Sequence, residues 1–168
     1  TLVTVLIFSV LATLATISLF SLLRGAAKAE RIKELKQNGD YALSVMELKI
    51  RNSVISDTTC TGVPATSLTI QMPDTSRTLV EYACNGNRIR ERNVGSTPPQ
   101  ASPTPNYLTS TTVRVPTCTT ADFSLTCEIE STGQKTVSIN YRLTQTVTLP
   151  ASEAVEERFQ TQVTLRNK

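Results

Sequence analysis

The sequence predicts an α+β fold: one long N-terminal helix over about 1–55, with its second half packed on an antiparallel β-sheet. Three observations predict it. Residues 1–23, TLVTVLIFSVLATLATISLFSLL, contain no charge, no proline and no glycine. Residues 24–55 carry apolar side chains at steps of three and four. Beyond Cys60, short alternating runs are separated by turn-forming residues.

The apolar run is the first element. At about 1.5 Å per residue it makes a helix roughly 34 Å long, enough to cross the hydrocarbon core of a bilayer. A surface this apolar must sit in lipid or be covered by protein. No basic region precedes the run and no small-residue cleavage site follows it, so it reads as a retained segment rather than a signal peptide. Thr4, Ser9, Ala12, Thr13, Ala15, Thr16 and Ser18 are small and allow neighbouring helices to approach closely. Their hydroxyls can bond back to main-chain carbonyls and soften the helix, which places any local unwinding between about Thr13 and Ser21.

The same helix continues through 24–55. Ile32, Leu35, Ala42, Met46 and Ile50 form one apolar stripe, with Leu43 and Val54 beside it. Glu30 with Lys33, and Glu47 with Arg51, are spaced to pair on the exposed side. Asn38-Gly39-Asp40 interrupts this pattern. A helical glycine costs about 1 kcal/mol relative to alanine, and Asn-Gly is a turn signal. The stripe keeps its phase through Leu35, Gly39, Ala42 and Met46, so the sequence predicts a kink or weak spot rather than two helices. The basic cluster Arg24, Lys28, Arg31, Lys33 and Lys36 reads as a solvated helix face.

Residues 56–168 read as a β-rich head. Strands are expected at 67–72, 78–84 and 87–92, with turn chemistry at 73–76 and a hairpin at Asn85-Gly86. The stretch 95–110 is rich in Pro, Ser and Thr and reads as a loop. Further strands are expected at 111–115, 123–130, 135–148 and 158–166, with a turn at Thr132-Gly133 and a loop or helical turn over 150–157. The four cysteines, Cys60, Cys84, Cys118 and Cys127, form no C-x-x-C pair. Their even number in a strand-rich region suggests two disulfides and an oxidising compartment. Four cysteines allow three pairings. Nearness in sequence favours Cys60–Cys84 and Cys118–Cys127; four buried free thiols are the alternative.

Composition narrows the function. Seventeen basic and 14 acidic residues give a net charge of +3, too mild a balance to imply a specific nucleic-acid partner. The chain has no histidine, which removes the commonest general base and metal ligand together. Asp40 with Glu47, and Glu156 with Glu157, then read as surface charge. No catalytic residue, metal site or cofactor is expected.

The run TLVTVLIFSVLATLATISLF, with charges only after it, resembles the mature N-terminus of type IV pilins and pseudopilins. The tract QNGDYALSVMELKIRNS resembles the second half of the long helix in bacterial members, and FQTQVTLRN resembles their last strand. The match covers about 60 residues. Family members usually begin with an N-methylated phenylalanine; this sequence departs from that with Thr1, whose neighbours match the family's second and third positions, and the resemblance implies N-terminal processing at Thr1. Thr4 stands where the family usually has a glutamate, thought to pair with a neighbouring subunit's N-terminal amine; a hydroxyl there is a weaker partner.

The resemblance implies a pilin-like helix-plus-sheet subunit of an extracellular helical filament, held in the inner membrane before assembly. Leu2, Val3, Thr4, Leu6, Ile7, Val10, Leu11, Leu14, Ile17 and Phe20 would pack in the filament core. The implied partners are copies of the chain, a prepilin peptidase, a membrane platform protein and an assembly ATPase. Two other functions fit the sequence: a minor pilin or pseudopilin of a secretion or DNA-uptake machine, and a monomeric membrane-anchored binding module.

Overall fold

The computed structural model describes residues 2–73, 77–95, 105–146 and 155–166. Thr1, most of the 95–110 loop, the 74–76 turn and most of 150–157 lie outside the described residues, as do the side chains of Leu2, Val5, Leu6 and Asp57. A single helix, α1 (Leu2–Arg51), runs through 50 residues, about 75 Å at 1.5 Å per residue. It stays helical through Asn38-Gly39 and through the 13–21 window, where sequence placed a weak spot and local unwinding.

Eight strands follow among the described residues, the longer ones from alternating sequence. They are β1 (Ser67–Gln71), β2 (Leu79–Asn85), β3 (Arg88–Gly95), β4 (Asn106–Tyr107), β5 (Val113–Arg114), β6 (Phe123–Ile129), β7 (Lys135–Gln145) and β8 (Glu156–Thr164). The first four form one antiparallel sheet in chain order. In the second sheet β7 is central, with β8 along one edge and β6 and β5 sharing the other. The short β4 falls where sequence predicted only loop. Two residues pairing through Arg90 and Glu91 leave no alternation to detect.

The second half of α1 packs on this β-structure. Leu35, Ala42, Met46 and Ile50 are fully buried, joined by Phe159 and Val163 of β8, and by Val137, Ile139 and Tyr141 of β7. The helix stops earlier than the apolar stripe suggested. Ser53 donates from both its backbone N–H and its hydroxyl to the Ile50 carbonyl, closing the last turn. Val54 is consequently not part of the stripe; it is 46% exposed and bridges to Gln71 of β1.

The β2–β3 hairpin lies one residue beyond the predicted Asn85-Gly86. Asn85 still pairs with Arg88, and the two loop residues are Gly86 and Asn87, with φ of 57° and 59°. That is the left-handed pair a tight hairpin needs, and asparagine tolerates it better than most residues.

The disulfides are Cys60–Cys127 and Cys84–Cys118, not the nearest-in-sequence pairs. Backbone pairing decides this. The segment after Cys60 runs along the free edge of β6, with Gly62 N–H donating to Cys127 O at 2.9 Å and Ala65 exchanging bonds with Leu125. That brings the Cys60 and Cys127 Cα atoms within 4.5 Å across 67 residues of sequence. Cys84 sits at the end of β2 beside the hairpin. Val115 N–H donates to Asn87 O at 2.8 Å, and the Asn87 amide donates to Pro116 O at 2.7 Å, which docks the Cys118 turn there. Each bridge therefore closes a tertiary contact that sequence spacing conceals.

The same turn is fixed by Asp122, whose carboxylate accepts from the Thr117 hydroxyl at 2.5 Å, the Thr117 N–H at 3.0 Å and the Arg142 guanidinium at 2.5 Å. The Thr117 hydroxyl, with the Arg142 charge behind it, holds the Asp122 carboxyl below its ordinary range.

Candidate functional site

The first half of α1 is the feature that the head does not account for. From Val3 to Glu30, every side chain that is described is exposed. Val3 (71%), Ile7, Val10, Leu11, Leu14, Ile17 and Phe20 from the predicted packing set are all among the exposed large apolar residues, and Thr4 is exposed with them. Phe8 (74%), Leu19, Leu22 and Leu23 are exposed as well and were not in that set. Periodicity could not have found them, because the run is apolar on every face. The segment is long and apolar enough to cross a membrane, with a window of mean hydropathy 1.8 and none of it buried.

Side-chain size nevertheless divides the rod. At 3.6 residues per turn, Val3, Ile7, Val10, Leu14 and Ile17 fall in one row at steps of four and three. Ser9, Thr13 and Thr16, flanked by Ala12, fall in another row about a third of a turn away. The threonine hydroxyls of this second row turn inward. Thr13 Oγ1 donates to Ser9 O at 2.7 Å, and Thr16 Oγ1 donates to Ala12 O at 2.7 Å. With their donors bonded to the helix's own carbonyls, these residues present mainly methyl groups and a shallow surface. The rod thus has a ridge of branched side chains and a groove of small ones.

The rod is held firmly by the head. Tyr141 Oη donates to Gly39 O at 2.6 Å. The Asn38 side chain accepts from Ser110 N–H at 2.9 Å, and Thr112 donates to the Glu34 carboxylate at 2.5 Å. Near the end of the helix, Lys49 Nζ lies 2.5 Å from Glu91 Oε1, and the buried Tyr82 hydroxyl faces Glu91 Oε2 at 3.4 Å. Burial, and the Glu91 charge after it, pushes the Tyr82 phenol well above its ordinary range. These contacts join α1 to both sheets, so that displacement of the rod moves the head with it.

The carboxylates singled out in sequence are spread over the surface. Glu47 pairs with Arg51, Glu156 with Arg142 and Glu157 with Lys36, and Asp40 is exposed on the helix. The disulfide cysteines staple the head and lie away from the rod. No protein-family model, curated protein or solved structure matches the chain. The described chain is an exposed apolar rod fixed to a disulfide-bonded α+β head.

Proposed function

We propose that the chain is a structural subunit of a type IV pilus-like filament, polymerising through the first half of α1. The observation that carries this reading is the pair of unlike faces on the exposed rod: the Val3–Ile7–Val10–Leu14–Ile17 ridge and the Ser9–Thr13–Thr16 groove. A ridge that fits a groove elsewhere on an identical copy makes a heterologous contact, and such contacts close into rings or run on as open helices. In lipid the rod is solvated by acyl chains and gains little from apolar contact with a second rod. Out of lipid, leaving it bare costs about 25 cal/mol for each Å² of apolar surface. Packing against copies removes that cost while the heads remain outside, facing water. The rod therefore has two stable settings, the membrane before assembly and the filament core after it. Release from one into the other is the work assigned to a platform protein and an ATPase motor.

The test is detergent removal from purified full-length protein, followed by negative-stain microscopy and sedimentation. Filaments of indefinite length with heads outermost are the expected result. Particles of fixed small size in every lipid-free condition would overturn the reading in favour of a membrane-anchored binding module. Subunit stoichiometry in filaments isolated from cells separates a major subunit from a minor one.

A further inference from the structure

The row of α1 that packs on the head can be followed back toward the apolar rod. Ile50, Met46, Ala42, Gly39 and Leu35 are buried. The next positions at steps of four, three and four are Arg31, Lys28 and Arg24. The row changes from core to cation where the helix leaves the head, and stays cationic until the apolar run begins at Leu23. This short collar holds the charge imbalance of the chain. Between 24 and 36 there are five basic and two acidic residues, a net +3, while the rest of the chain carries 12 of each sign.

Within the collar the cations differ. Lys33 lies 3.8 Å from Glu30, and Lys36 lies 3.8 Å from Glu157. Arg24 and Lys28 are exposed, and neither has a carboxylate three or four residues away on its helix. Phe20, Leu23, Arg24, Ala27, Lys28 and Arg31 share one open face of the helix. Along that face the apolar Phe20 and Leu23 come first and the cations follow. From Leu23 to Arg31 the helix rises about 12 Å, and a bilayer's polar zone extends roughly 5–7 Å beyond each side of its hydrocarbon. Arg24 and Lys28 therefore stand at headgroup depth when the rod is in a membrane.

We infer that Arg24 and Lys28 form a binding site for the phosphate of an anionic phospholipid, with Phe20 and Leu23 against its acyl chain. The inference rests on the proposed membrane stage of the rod. It adds that this stage selects for lipid charge, and that extraction into a filament must break these contacts.

The test uses full-length protein diluted from detergent into an equal mixture of vesicles. One population is phosphatidylcholine; the other, sucrose-loaded and dense, also contains phosphatidylglycerol. Wild type is expected to favour the anionic vesicles about thirtyfold, by the attraction of two interfacial cations. The Arg24→Gln/Lys28→Gln variant is expected to lose most of that preference while keeping both disulfides. The Arg24→Lys variant is expected to retain it. Equal partition of wild type between the vesicles would overturn the inference and leave the filament reading standing. Failure to enter either population would overturn the membrane stage and the inference together. An arm with inorganic phosphate, matched in ionic strength by chloride, separates lipid from free anion. If phosphate alone abolishes the preference, the site reads the free anion and the lipid assignment fails.

Discussion

The ring of Phe159 occupies the space that a side chain at position 39 would need. A Cβ built on Gly39 would lie 2.1 Å from Phe159 Cζ, with two further ring atoms within 2.5 Å. The ring cannot retreat easily, since it stacks on Tyr141 with centroids 5.4 Å apart. Gly39→Ala is therefore expected to destabilise the head despite a helix-propensity gain of about 1 kcal/mol. Overpacking of a fixed ring costs about 1–3 kcal/mol, so the net loss should be up to about 2 kcal/mol. Urea unfolding measures it. Pairing Gly39→Ala with Phe159→Leu should return part of the loss, because the two substitutions act on one volume.

The two most buried phenols set an alkaline limit. Burial pushes Tyr82 and Tyr141 above the ordinary value of 10.0, with Glu91 adding to the first and Asp40 to the second. The sign follows from proton counting. Above about pH 10 the unfolded chain gives up both phenolic protons and the folded chain keeps them, so stability falls as pH rises. Below that pH both states are protonated and the contribution is complete. The slope should approach about 1.4 kcal/mol per pH unit for each tyrosine. Unfolding free energies measured from neutral to strongly alkaline pH should bend downward near pH 10, and Tyr141→Phe should shallow the fall. Tyr141→Phe should also cost about 1 kcal/mol at neutral pH through the lost bond to Gly39 O.

Peptide mapping of the non-reduced protein should recover Cys60 joined to Cys127 and Cys84 joined to Cys118. Their sequence separations are 67 and 34 residues, so each bridge restricts a large loop of the unfolded chain. In the chain-entropy model each is worth about 4 kcal/mol, and the two differ by well under 1 kcal/mol. Paired Cys→Ala substitutions at either bridge should therefore lower the unfolding free energy by similar amounts. A much smaller effect at one site would show that its loop is already ordered without the bond.

The helix and the longer strands were legible because each repeats a period over many residues. Leu35, Ala42, Met46 and Ile50 mark the buried face of α1, and β2, β3, β6 and β7 alternate long enough to be read. What stayed hidden depends on partners remote in sequence. Gly39 reads as a helix breaker until Phe159, 120 residues on, fills its place. The disulfides read as neighbours until the Cys60 segment is laid along β6. The ridge and groove of the rod were partly legible: small residues such as Ser9 and Thr13 stood out, but an all-round apolar run gives no signal for which faces differ.

That division of faces yields a test specific to polymerisation. Leu14 lies on the ridge and is 60% exposed; Thr13 lies in the groove. Leu14→Asp places a carboxylate mid-rod, at about 2.5–3.5 kcal/mol on insertion scales, and should abolish both membrane retention and filaments. It does not separate the two roles. Thr13→Leu does. It makes the rod more apolar, so membrane anchoring should be kept or strengthened. It also fills the groove, so a neighbouring ridge is held away and close helix packing is lost. Filament yield after detergent removal should fall sharply for Thr13→Leu while vesicle flotation is unchanged. Thr13→Ser, which keeps the groove shallow and the back-bond to Ser9 O, should assemble normally. Equal assembly by Thr13→Leu and wild type would mean that the groove is not where copies meet, and that the rod packs through its other faces.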